Sequence, residues 1–123
     1  MTVASEPGCR LLVYTTEADR VGHHSLAEEL VERARDDGLL GATVWRAIEG
    51  FGRSGVVRTA RFPDLDVGMP LVVEVVDRTS RVAAFVAVAA ELAPGALMTT
   101  EPVRIKRHAL ADRLPLDDEL SEG

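Results

Sequence analysis

The chain has almost no cysteine, and this limits the kinds of site it can hold. Cys9 is the only cysteine among 123 residues, so an intramolecular disulfide is impossible and a cysteine-based structural zinc site is close to excluded. The three histidines offer no His-x3-His or His-Glu-x2-His spacing, and the neighbours His23 and His24 point to opposite faces of an extended segment. The sequence therefore predicts no bound metal and no other cofactor.

Long hydrophobic runs are also missing. The longest purely apolar run covers residues 82–90, whereas a membrane-spanning helix needs about 20 apolar residues. Residues 1–8 include Glu6 and lack the apolar stretch of a signal peptide. We expect a soluble, cytoplasmic protein that does not insert directly into a membrane.

Positive charge is scarce, and lysine is nearly absent. The chain has 20 acidic and 14 basic residues, a net charge of −6, and Lys106 is its single lysine. An acidic balance of this size argues against nucleic acid as a partner. The length suits one domain. We expect that domain at residues 9–108, between a disordered N-terminus at 1–8 and an acidic, flexible tail at 109–123.

Strand and helix patterns alternate along the chain. Aliphatic and β-branched runs predict strands at residues 10–15, 42–49, 71–77 and 97–106, and helical patterns begin after Ser25 and at about Arg81. The order β-α-β-β-α-β predicts a ferredoxin-like α+β sandwich, in which a four-stranded antiparallel sheet carries two helices on one face. Because the other face keeps apolar side chains that two helices cannot cover, we expect an oligomer.

The ends of these elements carry further signals. Ser25, with Glu28 three residues later, predicts a capping box for the first helix, and Thr79 or Ser80 is expected to cap the second. Residues 42–49 have apolar side chains on both faces, which is typical of a strand covered on one side by a helix and on the other by another chain or a loop. A proline at 102 interrupts the last strand and suits a sheet edge or a bulge.

The arginines are clustered. Residues 46–61 hold four arginines against one acid, Glu49, a local charge of +3. Arginine side chains bind phosphate and carboxylate groups bidentately, and glycines at 50, 52 and 55 let backbone N–H groups approach an anion. This segment is therefore a candidate anion site, and the alternative is a solvated hairpin.

Arg46 has a second interpretation of its own. It lies within a predicted strand, on an apolar face, and a buried arginine must be paired. A structural ion pair with Glu74 or Glu49 is favoured over a role in binding. Glu17 and Asp19 lie in a polar turn without the apolar surroundings that acid–base chemistry needs, so we interpret them as solvated turn residues.

Three segments of the chain carry a family resemblance: RLLVYTTEADR at 10–20, GATVWRAIEGFGRSG at 41–55 and LVVEVVD at 71–77. Together they resemble domain-of-unknown-function family 190, which is grouped with the PII-like proteins. The resemblance implies a ferredoxin-like fold assembled as a homotrimer, with a regulatory, ligand-sensing role and no enzyme activity. It implies that a small anionic metabolite, often an adenine nucleotide, lies in clefts between subunits. It also implies that the loop at residues 50–66 changes shape and engages a partner.

The resemblance also indicates which residues contact the ligand. In PII-like trimers the end of the last strand lies near the cleft between subunits, so Arg104 or Lys106 would reach a ligand phosphate. The alternative is an exposed run of charge at the end of the chain. No catalytic or metal-binding residue is predicted. The predicted ligand-binding residues are Arg46, Gly50, Phe51, Gly52, Arg53, Gly55, Arg58, Arg104 and Lys106.

The chain departs from nitrogen-regulatory PII proteins in two places. Residues 93–100 contain no lysine and do not match their Gly-rich phosphate-binding loop, and residues 50–66 contain no tyrosine that could be modified. Nitrogen regulation therefore does not transfer directly. Two alternatives stay open: a CutA-like protein that binds divalent metals, and an accessory subunit of a fluoride channel or transporter. The second follows from the resemblance, since some members of the family look to be associated with fluoride-channel proteins.

Overall fold

A computed structural model describes residues 2–52, 54–61 and 68–109. The predicted acidic tail lies outside the described residues from residue 110 onward. The elements, in chain order, are β1 (Thr2–Thr16), β2 (Arg20–Val21), β3 (His24–Ser25), α1 (Leu26–Asp36), β4 (Gly41–Arg46), β5 (Glu49–Gly50), β6 (Arg58–Thr59), β7 (Pro70–Asp77), α2 (Thr79–Leu92) and β8 (Met98–Ala109).

Four long strands form one antiparallel sheet in the order β4-β7-β1-β8. Both helices pack on the same face of it, and each helix connects two long strands of the sheet. The predicted ferredoxin-like α+β class is confirmed. The remaining strands are two-residue pieces that form two small hairpins, β2 with β3 and β5 with β6.

The core lies between the sheet and the helices. Side chains alternate along β7, so Val73 and Val75 point to the helices and are fully buried. Leu30 of α1 and Phe85 of α2 meet them there. Burial of an aliphatic or aromatic side chain of this size contributes about 1.5–3 kcal/mol, so this layer holds the helices on the sheet.

The capping prediction is correct for the first helix and wrong for the second. The hydroxyl of Ser25 accepts the N–H of Glu28 at 3.3 Å. Arg78 is the N-cap of α2, and no side chain caps the helix there. The buried carboxylate of Asp77 instead accepts the N–H of Arg78 at 2.5 Å and that of Leu40 at 2.9 Å. One carboxylate thereby fixes both the start of α2 and the connection from α1 to β4.

The N-terminal segment differs from its prediction as a disordered region. Residues 2–8 are the first half of β1 and pair with residues 103–109 of β8. Backbone hydrogen bonding to β8 fixes this segment, although its side chains show no strand-like alternation. Sequence patterning therefore provided no signal for it.

Pro102 lies in an uninterrupted β8, at an edge of the sheet, so the predicted edge position is confirmed. The Tyr14 N–H donates to the Leu97 carbonyl. The backbone groups of Leu97 therefore point to β1. Because this direction alternates along an antiparallel strand, the N–H groups of the even-numbered residues of β8 point away from β1. Proline lacks an N–H, and at position 102 the missing donor falls on the open edge, where no hydrogen bond is lost.

The second face of the sheet is open and largely apolar, as the sequence predicts. Leu12, Tyr14, Val72 and Val76 are only partly buried there, and Trp45 is 58% exposed. We call this surface the open face. Of the cover expected for the second strand, the helix is present, because α1 packs on β4, an edge strand whose residues are mostly exposed. Its cover by another chain stays a prediction.

Among the described residues, no helix is long and apolar enough to cross a membrane.

Candidate ligand-binding site

The glycine- and arginine-rich segment forms a hairpin at one end of the sheet. The chain leaves β4, and the Ala47 N–H donates to the Pro70 carbonyl at 2.9 Å. The Ala60 N–H donates to the Ile48 carbonyl at 2.9 Å, next to the β5–β6 pairing. The base of the hairpin is therefore fixed to the start of β7, while its tip extends beyond the sheet.

Glu17 organises the base of this hairpin, which contradicts its interpretation as a solvated turn residue. It directly follows β1, and one of its carboxylate oxygens accepts the Met69 N–H at 3.0 Å. The other oxygen accepts the Arg46 Nε at 2.7 Å. One side chain thus connects the ends of three strands, β1, β4 and β7.

Asp19 is also engaged in the turn that follows β1. Its carboxylate accepts the hydroxyl of Thr15 at 2.6 Å and the N–H of Thr16 at 2.9 Å. Its carbonyl accepts the N–H of Leu26, the first residue of α1, at 3.0 Å. These local hydrogen bonds hold the turn together. The presence of polar residues in the sequence does not by itself predict them.

Arg46 is paired, as predicted, but with a different partner. Glu17 takes the place of the expected Glu74 and Glu49. The Arg46 side chain is 44% exposed and not buried, because it lies at the last position of β4, beyond the cover of the helices. Glu74 instead accepts the indole N–H of Trp45 at 3.0 Å on the open face.

The hydrogen bond from Arg46 holds the pKa of Glu17 below its usual value of 4.5, and the Met69 N–H acts in the same direction. Glu17 is therefore ionised at neutral pH. A general acid needs a raised pKa, so this carboxylate is a structural anion. It gives no support to acid–base catalysis at this end of the sheet.

In the glycine turn at the tip of the hairpin, one backbone N–H is bonded within the turn itself. Gly55 has a φ of 74°, a left-handed conformation that glycine adopts without strain. Its N–H donates to the Gly52 carbonyl at 2.9 Å. That N–H is therefore not directed at an anion, which narrows the predicted role of Gly55 to shaping the turn.

Two arginines of the hairpin differ in their pairing. Arg61 lies 3.5 Å from Glu49 across the hairpin. The side chain of Arg58 is exposed and has no carboxylate partner among the residues that the structure describes. Arg53 lies outside the described residues. Among the described hairpin arginines, Arg58 is therefore the one whose guanidinium group is available to bind an anion.

Large apolar side chains are exposed beside these arginines. Ile48 is 78% exposed and Phe51 is 70% exposed, and Val56 and Val57 are more than half exposed. Exposed apolar groups of this size, gathered on one hairpin, are typical of a surface that another molecule covers. Sequence analysis selected Phe51 here and missed the other three.

The second basic run lies far from the hairpin in the same chain. Arg104 donates from Nε and Nη2 to the Ser5 hydroxyl at 3.3 and 3.1 Å, and Lys106 pairs with Ser5 along the backbone. From Ser5 to Thr16, where the hairpin end begins, β1 extends about 35 Å at ~3.3 Å per residue. One chain therefore does not bring the two predicted halves of the ligand site together.

The described residues contain no group of three or more His, Cys, Asp or Glu side chains that could hold a metal ion. His23 and His24 are both exposed in the small hairpin that precedes α1.

The sheet order, the two helices on one face and the hairpin after β4 define a PII-like fold. CPII bound to ADP and bicarbonate, from Thiomonas intermedia K12, matches with a TM-score of 0.57 and 15% identity over 85% of this chain and 93% of that chain. A putative PII-like signaling protein from Thermus thermophilus matches with a TM-score of 0.53 and 17% identity over 83% and 90% of the two chains. These likenesses establish the fold.

The family follows from the sequence. The model of domain-of-unknown-function family 190, described as an uncharacterised family (Uncharacterized ACR), matches residues 8–105, and the chain belongs to this family. A UPF0166 protein of Aquifex aeolicus (strain VF5) is 35% identical over 75 residues, which cover 61% of this chain and 71% of that protein. The predicted family is confirmed.

Proposed function

We propose that this protein is a regulatory, PII-like homotrimer that binds a small anionic ligand in clefts between its subunits. The observation that carries the proposal is the division of basic groups between opposite ends of one sheet. Arg58 lies at one end, and Arg104 and Lys106 lie at the other. A ligand that needs both groups requires two chains.

The class of ligand is argued from its chemistry. Arginine and lysine without carboxylate partners attract phosphate or carboxylate groups. The related fold of CPII is described with ADP and bicarbonate, and both are anions of this kind. An adenine nucleotide is therefore the first candidate here, and bicarbonate is the second.

The trimer is argued from the open face. Five apolar side chains on one sheet face are partly or largely exposed in a single chain, and burying them favours association. A cyclic assembly also joins unlike surfaces of neighbouring chains, as a cleft between two different basic regions requires. Light scattering is expected to give a mass near 40 kDa, about three times the chain mass of 13.3 kDa.

The hairpin and the loop at residues 50–66 are the proposed signalling element. Exposed apolar groups beside arginines give a surface that a partner protein can cover, and an anion bound at Arg58 changes the charge of that surface. The role is regulatory and not enzymatic, and we place the protein in the cytoplasm.

The first experiment is a thermal-shift panel of adenine nucleotides, bicarbonate, fluoride and divalent metals. A ligand at 100 times its dissociation constant stabilises the folded state by about 2.7 kcal/mol. We expect a shift with a nucleotide or bicarbonate. A shift with a divalent metal alone would favour the CutA-like alternative, and no shift with any anion would contradict the proposal.

Isothermal titration with the anion that gives the shift then tests the cleft. Arg58→Ala and Arg104→Ala each remove one charge-assisted hydrogen bond of about 1.5–3 kcal/mol, which weakens binding about 10- to 100-fold. Arg35→Ala is the matched control, because Arg35 is exposed on α1, away from both basic regions. Equal affinity for all three variants would place the ligand elsewhere.

A further inference from the structure

The carboxylate of Glu17 at the base of the hairpin holds two partners of different chemical character. One oxygen accepts the Met69 N–H at 3.0 Å, a neutral backbone group just before β7. The other oxygen accepts the Arg46 Nε at 2.7 Å, a charged side chain at the last position of β4. If the bond to Arg46 is broken, Glu17 therefore keeps a hydrogen-bond donor of its own.

The ion pair between Glu17 and Arg46 is accessible to water. The Arg46 side chain is 44% exposed and the Glu17 side chain is 34% exposed. Ion pairs with this much exposure contribute little to stability, so the guanidinium group exchanges its partner at small cost. A phosphate group carries more charge than a carboxylate and accepts two parallel hydrogen bonds from arginine. It is therefore a strong competitor for Arg46.

Arg46 lies at the entrance to the hairpin that carries the proposed anion site. The next residue, Ala47, is bonded through its N–H to the Pro70 carbonyl at 2.9 Å. Gly50 follows on the outgoing arm and pairs with Arg58 on the returning arm. Between Arg46 and Gly50 the backbone spans about 13 Å at ~3.3 Å per residue. Two long cationic side chains thus border one short stretch of the hairpin.

We propose that Glu17 is an internal competitor of the anionic ligand, and that ligand binding transfers Arg46 from Glu17 to the ligand. Without ligand, the carboxylate occupies the guanidinium group. With ligand, Glu17 keeps the Met69 N–H, and the base of the hairpin loses its ion pair with the residue that follows β1. The inference rests on the proposed function and adds a link between occupancy of the site and attachment of the hairpin.

A double-mutant cycle on ADP binding tests the competition. Glu17→Gln keeps an oxygen that accepts the Met69 N–H but removes the negative charge beside Arg46, so ADP is expected to bind about 2- to 5-fold more tightly in isothermal titration. Arg46→Ala removes the group that both anions share and is expected to weaken binding by about tenfold or more. In the Arg46→Ala background, Glu17→Gln is expected to give no tightening.

Glu28→Gln is the matched control for the loss of one negative charge. Glu28 is exposed in the first turn of α1, and the start of this helix is bonded to Asp19 in the turn after β1. The control thus removes a carboxylate from the same end of the molecule, and it is expected to leave ADP affinity unchanged. Circular dichroism and urea unfolding confirm that each variant is folded under the conditions of the titration.

Amide exchange at Ala47 measures the attachment of the hairpin, because its N–H is bonded to Pro70 at the base. In the wild type, ADP is expected to speed this exchange, since loss of the ion pair makes local opening easier. In Glu17→Gln the exchange is expected to be fast already without ADP. Unchanged exchange at Ala47 when ADP binds would overturn the link to the hairpin.

The titrations separate this inference from the proposed function. Tightening by Glu17→Gln that disappears in the Arg46→Ala background supports the competition. If ADP binds the wild type but Glu17→Gln does not tighten it, or tightens it equally without Arg46, the competition is overturned and the proposed ligand site stands. If ADP binds neither the wild type nor Glu17→Gln, the competition and the proposed nucleotide site are both overturned.

Discussion

Gly8 and Glu17 each fix a local feature of the structure that no periodic pattern in the sequence predicts. At Gly8, the side chain of Ile105 crosses β1 and fills the space where a Cβ would stand. The backbone of Gly8 has ordinary strand geometry, so the requirement is one of space and not of conformation. At Glu17, a carboxylate just after β1 joins three strands. Both roles depend on residues far away in the chain.

Replacing Gly8 by alanine is expected to destabilise the protein by about 1–3 kcal/mol, the usual cost of overpacking. The added Cβ would meet two side-chain carbons of Ile105 and lie 2.8 Å from the Asp77 carbonyl oxygen. Urea unfolding followed by circular dichroism measures the change. Gly41→Ala is the control, since nothing lies within 4 Å of a Cβ there, and equal stability of the two variants would contradict the account.

Glu17→Gln is expected to lower stability by about 0.5–1 kcal/mol at pH 7, as for a partly exposed ion pair. The folded state lowers the pKa of Glu17 from 4.5, so the stabilisation is complete above that value and is lost as pH falls through the lower, folded-state pKa. Urea midpoints of wild type and variant should therefore converge below pH 4.5. A difference that stays constant as the pH falls well below that value would show that the charge is not the cause.

At the scale of elements, the two helices begin in different ways. Helix α1 begins where Ser25 and Glu28 place it, because capping involves residues three apart. Helix α2 begins with no side-chain cap, because Asp77 satisfies the first free N–H from the preceding strand. Among the described residues, the hairpin after β4 has two paired positions and one further backbone bond at its base, from Ala60 to Ile48, so little holds its tip.

Amide hydrogen exchange is expected to be much faster in residues 54–57 of the hairpin tip than in β7. The tip has few backbone hydrogen bonds and exposed side chains, whereas β7 lies between two strands with its alternate side chains buried. Exchange followed by NMR or mass spectrometry gives the comparison. Equal protection of the two segments without ligand would contradict a mobile signalling loop.

At the scale of the whole molecule, the open face is an apolar surface that a single chain leaves uncovered. Leu12 lies near its centre, opposite Glu74 on β7 and Thr99 on β8. An ion pair between Arg10 and Glu101 closes one side of the same face. The face thus combines an apolar centre with one ion pair and with Glu74, whose carboxylate accepts the indole N–H of Trp45.

If the proposed trimer forms through the open face, Leu12→Arg is expected to give a monomer at micromolar concentration. A charge buried in an apolar interface costs several kcal/mol, while in the monomer Glu74 is close enough to pair with the new arginine. Light scattering gives the mass, and a thermal melt shows that the fold is kept. A trimer that persists in this variant would move the interface away from the open face.

Periodicity, short spacings and contiguous motifs were enough to predict the order of the long strands and helices, the first helix cap, the apolar second face and the family. Other features became visible only in the folded chain: the partner of Arg46, the anchoring role of Glu17, the pairing of residues 2–8 and the distance between the two basic regions. Each of these depends on strand register between distant segments, and register arises from packing and backbone pairing that a single sequence does not display.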